Sequence, residues 1–356
     1  MTPGLEAVLA LEREAGTAGA ADARALLTRE LEALGYEVVA QRFAFSTGTL
    51  NALPVLGGGL GWLTLLQIPL LLLPAVPGWA ALAVLLAGLA CLVLVARAIG
   101  TGAASSSGEL REDANLVATR PGAPPARWLV AHLDTKAQGH SMAGRLVAVW
   151  LLLAAVVALG ALAVWRLSAV PPMPVAAAAA AASVMAGFLA GRGRLKGRTV
   201  GARDNGSGLV ALMEGAAHAA PSTGVIITSA EEFGLVGARI LAQQRGELVR
   251  GRDVLNLDTI DDRGDLAIVL HDPPGDALAV ELEGLLAGVA PRVRRRRLPL
   301  GIFVDSYPLA RAGARAVTIG RLNWATLRLI HTPRDTREGL AFDTARAVGE
   351  RLGRLG

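Results

Sequence analysis

The stretch from Arg203 to Leu235, RDNGSGLVALMEGAAHAAPSTGVIITSAEEFGL, carries three carboxylates where loops do chemistry. Asp204 opens an Asp-Asn-Gly-Ser-Gly turn, and an apolar small-residue helix follows. A β-branched run, Val225 to Thr228, then leads to the adjacent pair Glu231-Glu232. Crowded carboxylates repel one another unless they share a cation or a proton, so this stretch calls for a metal. Other segments supply further ligand types. Arg127 to Leu133 (RWLVAHL) reads as an apolar strand reaching His132, with Asp134 just beyond. Val254 to Thr259 (VLNLDT) reads as another strand, ending at Asp258. His331-Thr332-Pro333-Arg334-Asp335-Thr336 lies near the C-terminus. Two histidines with several Asp and Glu at strand ends and loops suit a hard-to-borderline divalent cation. An aspartate bridging two ions about 3.5–4 Å apart is the usual closure of a two-metal hydrolase centre.

The ordered series HxD, DNxSG, EExGLxG, NLD and HTPxDT resembles the di-zinc aminopeptidase family that includes bacterial leucyl aminopeptidases and glutamate carboxypeptidase relatives. The likeness covers about residues 1–50, 102–142 and 196–356. It implies two zinc ions, one held by His132 and Asp258 and the second by Glu232 and His331, with Asp204 bridging. It also implies Glu231 as general base and Asp134 as the partner orienting His132. The physical roles agree: a ligating imidazole wants its second nitrogen pinned, and consecutive residues at a strand end diverge, so Glu232 can reach a metal while Glu231 faces a water. Two positions depart from the family pattern. Arg203 stands where a small or amide residue is usual, and Ser306 follows Asp305 where histidine is common. Both bear on the substrate pocket rather than on the ligands.

The elements that must position these groups alternate between strand and helix. Leu5–Glu14 and Ala21–Leu34 read as amphipathic helices and Glu37–Phe45 as a strand. After the acidic pair come a helix over Leu235–Gln244, a strand over Leu266–His271, a helix over Ala277–Val289, a strand over Ala316–Gly320 and a terminal helix over Leu340–Leu355. The expectation is an α/β fold, a mixed and mostly parallel sheet flanked by helices.

Two interruptions break this pattern. Apolar residues are 53% of the 356, aromatics only 4%, and the mean hydropathy is +0.45, high for a water-soluble enzyme. Leu53–Leu73 and Pro77–Ala96 are long uncharged apolar runs, and Leu146–Val164 with Pro171–Ala190 forms a second pair. Each approaches the roughly 20 residues that cross a bilayer, and Trp79 and Trp165 sit near run ends as interfacial aromatics do. The expected organisation is peptidase sequence at 1–50, 101–144 and 192–356, with transmembrane hairpins at 51–100 and 145–191. Since each hairpin returns the chain to the side it left, the rest of the protein lies on one side. Arg97, Arg111, Lys136, Arg145, Arg192, Arg194, Lys196 and Arg198 lie near the span ends on that side, and only Arg166 lies at a far turn. The bias toward positive charge places that domain in the cytoplasm.

The net charge is +5, and lysine accounts for only Lys136 and Lys196 of 35 basic residues. Basicity carried by arginine throughout is composition rather than a nucleic-acid footprint, so no nucleic acid is expected. The partners are a peptide substrate and the lipid bilayer. Arg292–Arg297 (RVRRRR) reads as a solvated edge strand. Segment 102–112 reads as a Gly/Ser-rich linker. The single Cys91 permits no disulfide within the chain. His140, His218 and His271 are read as lying outside the centre, His271 at a strand end without matched partners. Two other functions compete with the peptidase: a catalytically silent membrane scaffold or receptor, and an amidase or cyclase acting on non-peptide amides.

Overall fold

Strands whose residues are buried on both faces form the centre of a sheet with helices on either side. The computed structural model describes every residue except Gly102, 105–107, Ala123, 272–274, Leu322 and Gly356; part of the 102–112 linker therefore lies outside the described residues. In chain order the elements are α1 (Pro3–Ala10), α2 (Ala18–Ala33), β1 (Glu37–Ser46), α3 (Ala52–Leu72), α4 (Gly78–Gly100), β2 (Leu110–Thr119), β3 (Arg127–His132), α5 (Met142–Trp165) and α6 (Met173–Gly191). Then follow α7 (Gly208–His218), β4 (Thr223–Thr228), α8 (Val236–Arg245), β5 (Asp253–Asp258), β6 (Leu266–Leu270), α9 (Asp276–Leu285), β7 (Val293–Arg297), α10 (Ser306–Arg311), β8 (Arg315–Gly320), α11 (Trp324–Leu327) and α12 (Asp343–Gly353).

The chain divides into two compact units. The first comprises Met1–Phe45, Leu110–Ala137 and Gly197–Gly356. Among the described residues its sheet has eight strands, in the order β1-β2-β4-β3-β5-β8-β6-β7. The central strands β4, β3, β5 and β8 run parallel, while β2 and β6 pair antiparallel to β4 and β8. This is the mixed, mostly parallel sheet flanked by helices that the alternating pattern predicts. Alternation along β3 separates two cores. Leu129 and Ala131 face a large one that includes residues of α1, α2, α7, α9 and α12. Trp128 and Val130 face a smaller one with Leu241 of α8 and Leu309 of α10. The arginine run forms β7 at the sheet edge, largely exposed, with Arg294 on Asp265 and Arg295 on Glu283.

Several element ends differ from expectation for local reasons. α1 stops at Ala10, which frees Arg13 to turn inward. α9 stops at Leu285, before the expected Val289. α12 starts at Asp343 rather than Leu340, because the Asp262 carboxylate accepts from the amides of Ala341, Phe342 and Thr344 at 2.7, 2.9 and 3.0 Å and caps the entry to the helix.

The second unit comprises Ser46–Glu109 and Gln138–Lys196. Among its described residues are four helical stretches long and apolar enough to cross a membrane: Thr47–Leu72, Gly78–Gly100, Met142–Trp165 and Met173–Gly191. Trp62, Leu66, Leu94, Val157 and Phe188 are exposed on them. α3 and α6 approach through glycine, since a Cβ on Gly187 would lie 2.4 Å from the Gly57 carbonyl oxygen. At the loop ends, the Arg166 guanidinium donates to Leu73 O at 3.0 Å and Val76 O at 2.6 Å, tying one hairpin turn to the other.

Candidate metal centre

The first unit gathers its chemistry at the carboxyl ends of the parallel strands, where open α/β sheets place their sites. β3 delivers His132, β5 delivers Asp258, and the loop after β4 delivers Glu231 and Glu232. Asp204 arrives on the turn before α7. That turn is fastened to the end of β5: Asn205 Nδ2 donates to Leu257 O at 2.8 Å, and Asn205 Oδ1 accepts from Thr259 N at 3.1 Å and Gly208 N at 3.0 Å. Ser207 Oγ accepts from Ile260 N at 2.7 Å. Gly208 has to be glycine, because a Cβ there would lie 2.3 Å from Leu257 O. The Asp204-Asn205 peptide is cis. His331 comes from the loop after α11. Ala230, Thr259 and His331 all adopt left-handed backbone angles, each at or beside a site residue, as strained positions in functional sites do.

Five of the seven residues named from sequence form two groups that share one carboxylate. His132, Asp204 and Asp258 form the first group, and Asp204, Glu232 and His331 the second; each residue offers a ligand atom within 4.8 Å of the others in its group. Asp204 splits between them, with Oδ1 at 3.2 Å from His132 Nε2 and Oδ2 at 3.2 Å from His331 Nε2. Glu232 Oε2 lies 3.1 Å from His331 Nε2, and Asp258 Oδ1 lies 3.8 Å from His132 Nε2. Asp134 and Glu231 belong to neither group, and Glu231 stands within electrostatic reach of His132, Glu232, Asp258 and Asp305.

Asp134 acts through different atoms from those expected. His132 Nδ1–H donates to the Asp134 main-chain carbonyl at 3.0 Å, while the carboxylate stands 3.8 Å away. The carboxylate is engaged elsewhere, its two oxygens accepting from the amides of Glu231 at 3.0 Å and Glu232 at 3.1 Å. One residue thus fixes both the imidazole and the acidic pair.

These residues fit a divalent cation. With Nδ1–H committed to a carbonyl, His132 turns Nε2 toward two carboxylates; without a metal that nitrogen carries a proton, and a divalent cation would take the proton's place. Glu232 Oε1 is buried with no hydrogen-bond partner among the described residues. Burial pushes the Asp134 carboxyl up to about 7 and those of Asp305 and Asp335 up to about 6, and it raises Glu231 well above the usual carboxylate range. Burial acts the same way on Asp204, but hydrogen bonds to His132 and His331 outweigh it and hold the carboxyl well below its ordinary value. Burial would lower His132, and Glu231 with the hydrogen bonds to Asp204 and Asp258 raises it well above the ordinary range.

Four further residues shape the site that the sequence did not single out for it, although Asn205 and Asp335 lie within the DNxSG and HTPxDT motifs. Arg13, fully buried, donates to Leu133 O at 2.9 Å, Val200 O at 2.7 Å and Gly201 O at 3.1 Å. Asn205 pins the Asp204 turn, and Asp335 accepts from the amides of Arg203 and Asp204. Lys136 places Nζ 2.7 Å from Glu232 Oε2. It was counted above among the basic residues flanking the spans, but its side chain is buried in this site and contributes nothing at a lipid surface. One signal for it was available, since lysine is rare in this arginine-rich chain. Arg203, the departure beside Asp204, turns its guanidinium to Asp261 Oδ2 at 3.2 Å, Thr336 O at 2.8 Å and Glu338 O at 3.1 Å. His271 does have a partner: its Nε2 lies 2.5 Å from Ser306 Oγ, which lies 2.5 Å from Thr318 Oγ1.

The mixed α/β sheet thus carries two His–carboxylate groups, each able to hold a metal ion, at its strand ends. The model of peptidase family M28 matches residues 176–355, half of the chain, and this protein belongs to that family. Among solved structures it is similar to the Legionella pneumophila LapA aminopeptidase (16% identity, TM-score 0.52, covering 98% of this chain and 69% of that one). It is also similar to BSAP, a zinc aminopeptidase from Bacillus subtilis (12%, 0.55, 98% and 93%), and to the Fimbriiglobus ruber glutaminyl cyclase (16%, 0.56, 98% and 92%). At these identities the likeness is one of fold. No curated protein matches the chain.

Proposed function

We propose that this chain is a membrane-anchored metallopeptidase with a two-zinc centre, acting as an aminopeptidase. The observation that carries the reading is Asp204, with one carboxylate oxygen directed to each His–carboxylate group. His132 and Asp258 would hold one ion and Glu232 and His331 the other, with Asp204 shared. Bound there, the ions would supply Lewis acidity and lower the pKa of water toward neutrality. Glu231 is the general base: buried beside the two groups and outside both, it takes a proton from the attacking water and returns it to the departing amine. Asp134 is a positioning residue, holding the backbone of both glutamates.

The four apolar stretches support two transmembrane hairpins. The basic residues near their ends, with Lys136 now set aside, support a cytoplasmic peptidase unit. A cyclase or amidase reading is kept because a glutaminyl cyclase shares the fold, and pocket residues rather than ligands decide between the two. A silent scaffold is disfavoured, since no ligand position is lost.

The test is metal analysis of the purified protein followed by a screen of aminoacyl and N-terminal glutaminyl substrates. Zinc approaching two equivalents, with aminoacyl hydrolysis abolished by chelation, supports the proposal. No bound metal under metal-replete conditions would overturn it.

A further inference from the structure

The two groups around Asp204 are not electrically equal. Each has two carboxylates and one imidazole, and Asp204 is common to both. Lys136 breaks the symmetry. Its side chain is 1% exposed, and its Nζ lies 2.7 Å from Glu232 Oε2 and donates to the Glu232 main-chain carbonyl at 3.1 Å. The same Glu232 oxygen faces His331 Nε2 at 3.1 Å, so the ammonium and the imidazole meet at one carboxylate atom. The counterpart in the other group, Asp258 Oδ1, accepts instead from the neutral Thr259 hydroxyl at 2.8 Å. Among the described residues no lysine or arginine pairs with Asp258. Buried charges a few ångströms apart are little screened by solvent or salt, so the ammonium bears directly on any cation that Glu232 holds.

Resting on the two-ion reading, we propose that Lys136 makes the two half-sites unequal. The His132–Asp204–Asp258 half binds its ion tightly. The Asp204–Glu232–His331 half binds its ion weakly, because the cation has to share Glu232 with a fixed ammonium. Lys136 also holds the Glu232 carboxylate in place before that ion arrives. The chain therefore fills in order, and the occupancy of the second half follows the zinc supply.

The experiment is zinc titration of the metal-free, full-length protein in detergent, by calorimetry and by competition with a chromophoric chelator. Wild type should bind in two steps separated by tenfold or more in affinity. Lys136→Met should tighten the weaker step at least tenfold and draw the two together, whereas Lys136→Arg should keep them apart. His331→Ala should abolish the weak step and Asp258→Asn the tight one, an assignment that stands even if Lys136→Met fails to fold. Two equivalents bound with equal affinity in wild type would overturn this inference and leave the two-zinc reading intact. So would an unchanged separation in folded Lys136→Met, or loss of the tight step in His331→Ala. A wild-type protein that takes up no zinc would overturn both.

Discussion

Asp335 grips the backbone of Asp204. Its Oδ2 accepts from the Asp204 amide at 3.0 Å, and its Oδ1 accepts from the Arg203 amide at 2.9 Å. The residue that divides its own carboxylate between two groups is thus held from behind by another buried carboxylate, 131 positions away in sequence. Removing it should loosen the shared ligand. Asp335→Ala leaves two buried N–H donors unmatched, at about 1–3 kcal/mol each. We expect a lower melting temperature and zinc affinity reduced about 10–100-fold, the scale for residues that orient ligands. Asp335→Asn, which keeps one acceptor oxygen, should fall between. Thermal unfolding with zinc titration checks both, and wild-type zinc affinity in Asp335→Ala would disprove the gripping role.

Glu231 and Asp204 should separate chemistry from metal binding. Glu231→Gln should retain its metal and lose about 10²–10⁴ in turnover, the scale of a missing general base. Asp204→Ala should lose metal from both groups. Metal content and single-substrate kinetics on the same preparations decide the matter, and full activity in Glu231→Gln would place the base elsewhere.

Arg13 joins the N-terminal segment to the strand carrying His132 and the turn carrying Asp204 through carbonyls at Leu133, Val200 and Gly201. Arg13→Met strips charged donors from buried acceptors and should cost about 3 kcal/mol or more. Arg13→Lys should recover little, because a single ammonium cannot replace a planar fork of donors. Denaturant unfolding of the three proteins measures this, and a near-wild-type Arg13→Lys would argue against the fork.

Labelling tests the orientation. In a Cys91→Ala background, Val76→Cys and Ser168→Cys at the two hairpin turns should react with an impermeant thiol reagent on intact cells. Arg354→Cys, beyond α12, should react only after permeabilisation. The reverse pattern would place the peptidase unit outside.

The sequence by itself carried the residues whose neighbours along the chain define them. His132, Asp258 and Glu231-Glu232 follow apolar β-branched runs, and a parallel sheet brings such strand ends to one edge whatever the loops do. The DNGSG turn announced Asp204, and four uncharged runs announced the helices of the second unit. Tertiary structure decided what depends on distance in sequence. Arg13 and Lys136 are charged residues in segments with no telling period, Asp335 lies in the HTPxDT motif without its grip on Asp204 being legible there, and burial against partners far along the chain gives all three their roles. The choice between carbonyl and carboxylate at Asp134 was equally hidden. Both atoms belong to one residue, and the amides of Glu231 and Glu232, delivered by the neighbouring strand, claimed the carboxylate and left the carbonyl for His132.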